Sequence, residues 1–256
     1  MSSDLMIRAT GVGKSYQFYT HYADRFKQMV FGRFKKYYKD YWVLRDISFE
    51  AKRGESIGII GRNGAGKSTL LQIICGITTP TYGEVEVHGR IAPVLSLGAG
   101  FDTELTGREN AVIGGVCLGL KRADIVKRFD SIADFAAIGE FIDQPVKLYS
   151  TGMFMRLAFA ICAHVDAELM VIDESLSVGD TAFQEKCKDF LHRFRRTGSI
   201  LLVSHSVDEV AKLCDRAIWI DRGRIREMGE PAKVIPKYQN AVHDEHDDAS
   251  RFLIDA

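Results

Sequence analysis

Apolar residues gather in short, nearly unbroken runs: Ser56–Ile60, Leu169–Asp173 (LMVID), Ile200–Ser204 (ILLVS) and Ala217–Asp221 (AIWID). Runs of this length without polar alternation predict strands covered on both faces, as in a parallel sheet. Stretches of helical character lie beside them, over Lys67–Cys75, Ala182–Arg196 and Val207–Cys214, and these supply the crossovers that parallel strands need. The fold class that follows is α/β with a mostly parallel core sheet.

Leu5–Thr10, Val43–Ala51 and Glu84–Val87 read as strands separated by turn residues, a smaller antiparallel sheet beside the core. From Thr106 to Val165 the pattern is mostly helical, as expected of a block inserted before the chain returns to the sheet at Leu169. His243–Ser250 is acidic and aperiodic and reads as a frayed tail or linker. The expected organisation is a core of residues 1–90 and 166–240 that includes the antiparallel subdomain, an inserted unit over 91–165, and a tail over 241–256.

Composition adds exclusions. The 256 residues are 46% hydrophobic and 27% charged, which rules out wholesale disorder. Lys plus Arg and Asp plus Glu both number 34, so the basic excess of a nucleic-acid-coating surface is missing and no nucleic-acid partner is expected. No apolar run is long enough to cross a bilayer, and the opening MSSDLMIRAT lacks the apolar centre of a secretory signal, so a cytoplasmic location is expected. Cys75, Cys117, Cys162, Cys187 and Cys214 are too scattered for a metal or redox pair and read as free buried thiols.

The chemistry begins at Gly61-Arg62-Asn63-Gly64-Ala65-Gly66-Lys67-Ser68-Thr69, a phosphate-binding loop placed after a strand and opening a helix. Its glycines let backbone N–H groups curl around phosphates, Lys67 reaches the β- and γ-phosphates, and the Ser68 hydroxyl ligates Mg²⁺. Asp173 and Glu174 end a buried strand, where the ligand crevice of an open α/β sheet lies. Asp173 is expected in the Mg²⁺ shell and Glu174 as the base that takes a proton from the attacking water.

In the order of these motifs the chain, from about Leu5 to Tyr238, resembles the ATPase subunits of ABC transporters. There an LSGGQ-like signature precedes the Asp-Glu strand, and Leu148-Tyr-Ser-Thr-Gly-Met153 stands in that place. The resemblance implies that Ser150, Thr151 and Gly152, at a helix N-terminus, bind the γ-phosphate of ATP held by a second copy, so that two ATP·Mg²⁺ are sandwiched between two chains. Asp180, in Ser177-Val-Gly-Asp180, resembles the family's D-loop aspartate, and His205 its switch histidine on the γ-phosphate. Tyr16 holds the motif position of the adenine-stacking residue, with Tyr38, Tyr41 and Trp42 as alternatives.

Departures from the pattern are informative. Thr151 and Met153 replace glycine and glutamine of the common signature, and Ile91–Glu104 has no glutamine where the family carries one, Ser96 or Leu97 falling nearest. The runs Tyr149-Ser-Thr-Gly-Met153, Leu97-Gly-Ala-Gly-Phe-Asp102 and Leu105-Thr-Gly-Arg-Glu-Asn110 resemble the bacterial polysaccharide-exporter branch, which exports O-antigen, teichoic acid or capsule. The extended loop before Tyr41 is similar to that of its O-antigen and teichoic acid members, O-antigen ranking first. This resemblance implies a multispanning membrane permease as partner, lipid-linked polysaccharide as the transported substrate, and a peripheral place on the cytoplasmic face of the bacterial inner membrane.

Residues 16–42 carry 11 of the 26 aromatics, with six Lys or Arg against two Asp. Rings beside cations suit a membrane interface, a sugar chain or an RNA strand; the alternative is a hairpin packed on the protein's own sheet. Two rival functions share these motifs: a soluble ABC-type ATPase acting on DNA or ribosomes, and an interaction protein with a dead nucleotide site. The first usually carries a coiled coil or duplicated cassettes, neither present here, and Glu174 with His205 argues against the second.

Overall fold

The computed structural model describes residues 4–31, 35–94, 98, 100–173, 180–204 and 206–251. Its centre is a six-stranded sheet in the order β5-β6-β7-β3-β8-β9. These strands are β3 (Ser56–Ile60), β5 (Ile91–Pro93), β6 (Leu169–Asp173), β7 (Ser199–Val203), β8 (Arg216–Asp221) and β9 (Arg224–Gly229). All pairs are parallel except β8 with β9.

The four apolar runs fall on the four inner strands, and their side chains divide between two cores. Ile57, Ile59, Leu169, Val171, Leu201, Val203, Ile218 and Ile220 face one side. Ile60, Met170, Ile172, Ile200, Leu202, Ala217 and Trp219 face the other. Both faces are covered, which is why these strands show no polar alternation.

The antiparallel sheet has the order β2-β1-β4, from β1 (Leu5–Phe18), β2 (Lys39–Lys52) and β4 (Tyr82–Val87). It packs through Met6, Val12, Leu44 and Phe49 on helix α2 (Lys67–Ile74) and the first face of the central sheet. Both β1 and β2 run past their expected ends into the aromatic insertion, pairing as far as Phe18 with Lys39. The insertion closes with helix α1 (Tyr22–Phe31), none of whose residues is buried. The alternative in which the insertion packs its rings on the protein's own sheet does not describe this helix: Tyr22, Phe26 and Met29 are 95%, 67% and 82% exposed.

The helical block holds α3 (Gly107–Cys117), α4 (Arg122–Ala136) and α5 (Thr151–Ala163), which enclose a third core around Ile125, Phe129, Ile132, Leu157 and Ile161. Helices α6 (Thr181–Phe194), α7 (Val207–Leu213) and α8 (Pro231–Arg251) cover the second face of the central sheet. The acidic stretch read as a frayed tail continues α8 as far as Arg251. It contains neither Gly nor Pro, and adding residues to a helix that is already nucleated costs little. Strand β5, which a division at residue 90 assigns to the inserted unit, pairs with β6 in the core. The cysteines are all free, and Cys117 is exposed, unlike the buried Cys162, Cys187 and Cys214. Burial pushes those three thiols up to about 12.

Candidate functional site

The loop leaving β3 is shaped by contacts that admit no side chain at two of its glycines. Gly61 has φ 154°, and a Cβ there would collide with the Ile220 carbonyl on β8. Gly66 has φ 103°, and a Cβ would lie 2.8 Å from the Val43 carbonyl and 2.7 Å from Leu44 Cδ2. The Ala65 N–H donates to the Arg62 carbonyl at 3.1 Å, which closes the curl. The Gly223 N–H donates to Ala65, and the Arg45 N–H to Gly223, so β2 and the β8–β9 turn brace the loop.

Lys67 opens α2 with its side chain folded into the loop, 5% exposed, Nζ donating to the carbonyls of Gly61 at 2.8 Å and Arg62 at 3.1 Å. A buried ammonium ringed by a glycine-rich backbone is a cationic site built for phosphate oxygens. A cavity of about 480 Å³ opens above it, lined by Tyr41, Val43, Asn63, Gly64, Gly66, Lys67, Ser68 and Thr69. A second, of about 250 Å³, runs between Arg62, Asn63, Gly64 and Ala65 and the turn residues Asp221 and Arg222. The predicted loop residues are thus brought together in one cradle.

Tyr41 lines this cavity, whereas Tyr16, the residue favoured by motif position, stands directly opposite it on β1. The extended pairing of β1 and β2 carries the end of the insertion over the phosphate loop, so the chosen position and one alternative form a pair. Trp42 points to the other face and meets the Tyr82 ring at 5.4 Å, while Tyr38 pairs with Tyr19 at 5.8 Å.

Asp173 closes β6, level with Val203 of β7, which in turn pairs with Ile59 of β3. Asp173 therefore ends its strand at the same C-terminal end of the sheet from which the loop leaves β3, two strand spacings, about 10 Å of backbone, away. Ser68, exposed in the first turn of α2, and Asp173 offer hard oxygen donors of the kind Mg²⁺ takes. Glu174 and His205 lie outside the described residues, as do Ser96 and Leu97. Next to His205, the Ser204 hydroxyl donates to Glu209 Oε2 at 2.9 Å, and Ser206 caps α7.

Ser150 is the N-cap of α5, its Oγ accepting from the Met153 N–H at 3.2 Å. Ser150 and Thr151 are exposed, and a Cβ on Gly152 would meet nothing nearer than Ser150 Oγ at 3.8 Å. This turn faces open space and lines neither cavity at the phosphate loop of its own chain. Asp180 caps α6, Oδ1 accepting from the Phe183 N–H at 2.9 Å.

Two features escape motif reading. Gly98 and Phe101 pack on Phe154 of α5, the ring centroids of Phe101 and Phe154 5.0 Å apart, which seats these two residues on the helix that carries the Ser150 turn. Asn110, fully buried, donates from Nδ2 to the carbonyls of Asp102, Leu105 and Thr106 and accepts from the Asp102 N–H, which shapes the approach to α3. The Leu105–Asn110 run was its only trace in the sequence.

Residues 44–177 match the family described as ABC transporter. The O-antigen export system ATP-binding protein RfbB of Klebsiella pneumoniae is 41% identical over 93% of this chain and 98% of its own. The ABC transporter protein AbcA of Aeromonas salmonicida is 48% identical over 84% of this chain and 70% of its own. The teichoic acids export ATP-binding protein TagH of Listeria innocua is 42% identical over 94% and 72%. Among solved structures, a dimeric ATP-binding cassette in a post-hydrolysis state with ADP and phosphate shares the fold at TM-score 0.71 and 20% identity, covering 88% of this chain and 99% of that one.

Proposed function

The chain belongs to the ABC transporter family, and on that premise we propose that it is the ATP-hydrolysing subunit of a polysaccharide exporter, working as a pair of copies closed on two ATP. The observation that carries the pairing is the outward-facing Ser150–Gly152 turn: an exposed helix N-terminus, the end whose dipole favours anions, with no cavity of its own chain's phosphate loop to serve. A second copy brings that turn to the triphosphate cradled by Gly61–Thr69. Closure does mechanical work on a permease; loss of the γ-phosphate removes the charge-assisted bonds that both copies make, and the pair reopens.

Within each copy Lys67 and the loop N–H groups hold the phosphate chain, Glu174 takes the proton of the attacking water, and His205 completes the γ-phosphate surroundings. Ser68 and Asp173 would hold Mg²⁺, which when bound neutralises phosphate charge. The segment from Ile91 to Glu109, whose Gly98 and Phe101 pack on Phe154, carries the state of the site to the permease. At its end lies a groove of about 480 Å³ between α3 and α4, floored by Val112, Ile113, Val126 and Phe129 and rimmed by Arg108 and Asp130, suited to an amphipathic permease segment.

Helix α1 supports a peripheral place at the inner membrane. Asp24 and Gln28 are half-buried, Gln28 Oε1 accepting from the Tyr37 N–H at 2.9 Å, while Tyr22, Phe26, Met29 and Val30 form an exposed stripe flanked by the exposed Arg25 and Lys27. No helix among the described residues is long and apolar enough to span a membrane. The relatives that are named for export handle O-antigen and teichoic acids, and lipid-linked O-antigen is the substrate we assign.

Glu174→Gln keeps the shape of the site and removes the base, so ATP should trap it as a dimer with little turnover, read by size exclusion and phosphate release. A monomer in saturating ATP, or full turnover, overturns the reading.

A further inference from the structure

Six residues beyond Ser150 on α5, the side chain of Arg156 reaches three other parts of the chain. Its Nη2 lies 2.8 Å from Asp180 Oδ2, its Nη1 donates to the Ala137 carbonyl at 3.3 Å, and its guanidinium lies over the Phe183 ring, 5.0 Å from the centroid. The side chain is 19% exposed. Nearby, Lys186 of α6 donates to the carbonyls of Asp134 and Phe135 at 3.0 Å. The C-terminal end of α4 thus receives two cations, the sign its dipole favours, one from α5 and one from α6.

Arg156 is therefore where the helix bearing the Ser150 turn meets the chain that leaves Asp173. Asp180 both caps α6 and receives this guanidinium, so an error in the α5 angle is passed to it directly. At about 1.5 Å of rise per residue, Arg156 is roughly 9 Å along the axis from Ser150, close enough to set where the helix N-terminus points. An ion pair whose carboxylate is this exposed adds little stability, at most about 1 kcal/mol. Its geometry is the more specific feature: a planar fork shared between a carboxylate, a carbonyl and a ring is a job for Arg and not for Lys.

We propose that Arg156 is a positioning residue for ATP hydrolysis, holding α5 against Asp180 so that the Ser150–Gly152 turn meets the triphosphate of the second copy. The proposal rests on the two-copy reading above. Arg156→Met keeps the stem on Phe183 and removes the fork. It should lower kcat by about tenfold or more while ADP affinity, which needs only the chain's own phosphate loop, stays within about twofold. Asp180→Asn keeps a good helix cap, loses the charge and should reproduce the defect, and it serves if Arg156→Met folds poorly. Arg156→Lys should fall between Arg156→Met and the parent.

In the Glu174→Gln background, Arg156→Met should raise the ATP concentration needed for dimer formation. If Glu174→Gln alone does not dimerise, the two-copy reading fails. If it dimerises and Arg156→Met or Asp180→Asn dimerises and turns over equally well, the positioning role fails. A loss of ADP affinity parallel to the loss of kcat overturns it too, since that is damage to the fold.

Discussion

Tyr16 and Tyr41 face each other across β1 and β2, and it is Tyr41 that lines the cavity above Lys67. Lys14 lies over the Tyr16 ring, 5.1 Å from its centroid. A nucleobase extending from the phosphate loop is expected to meet Tyr41 first, with Tyr16 beside it. Stacking on an aromatic ring is worth about 1–3 kcal/mol, or roughly 5- to 150-fold in affinity. Tyr41→Ala should raise the Kd for ATP within that range and Tyr16→Ala by less, as read by titration calorimetry. A larger loss in Tyr16→Ala would return the role to the position favoured by motif.

Asn110 ties three carbonyls and one N–H with a single buried side chain. Asn110→Ala strands those groups at a cost of about 1–3 kcal/mol, a fall of roughly 2–12 °C in melting temperature for a chain of this size. Because the loop it holds leads from Phe101 to α3, coupling should suffer beyond the stability loss: ATP hydrolysis by the isolated subunit falls less than export does. Equal melting curves for variant and parent would contradict this.

What could be read in the sequence was what short-range chemistry dictates. Apolar runs placed β3, β6, β7 and β8, because a strand buried on both faces must be apolar throughout, and the glycine spacing placed the phosphate loop. What could not be read depends on pairing between distant segments. Tyr41 reaches the cavity because the strand of Tyr16, 25 positions earlier, pairs beyond its expected end. Helix α1 shows its rings to solvent and buries no residue, unlike a helix packed on a core through its apolar side. Strand β9 alternates half-buried and exposed residues at the sheet edge, and its one local signal, a tight turn with Arg222 and Gly223 both at positive φ, is easily passed over. Arg156 had no motif at all; its partners are 19 to 27 residues away in sequence.

Glu109 closes a capping box with Thr106, and the N–H of Thr106 followed by its hydroxyl holds the Glu109 carboxyl below its ordinary value of 4.5. A carboxyl depressed in the folded state contributes stability that is present above the unfolded value and is lost as pH falls through the folded one. Glu109→Gln keeps a capping amide without the titration. The stability gap between parent and variant should therefore be larger at about pH 7 than at about pH 3, as measured by urea unfolding. A gap that is constant across this range, or that widens in acid, would show that the charge contributes nothing here.

Tyr22, Phe26, Met29 and Val30 recur on one exposed side of α1, with no residue of the helix buried. Substituting exposed side chains costs stability little, within about 0.5 kcal/mol, so Phe26→Ser with Met29→Ser should leave melting temperature and ATP turnover unchanged. If the stripe enters the headgroup layer beside Arg25 and Lys27, the double variant should release the protein from vesicles containing anionic phospholipid, read by co-sedimentation. Arg25→Gln with Lys27→Gln should weaken the same binding more at low salt than at high salt, because charge attraction is screened and ring burial is not. Undiminished sedimentation of both double variants would remove α1 from the membrane face and leave the rings to the permease or the glycan, for which export in cells, with ATP turnover held constant, is the remaining measure.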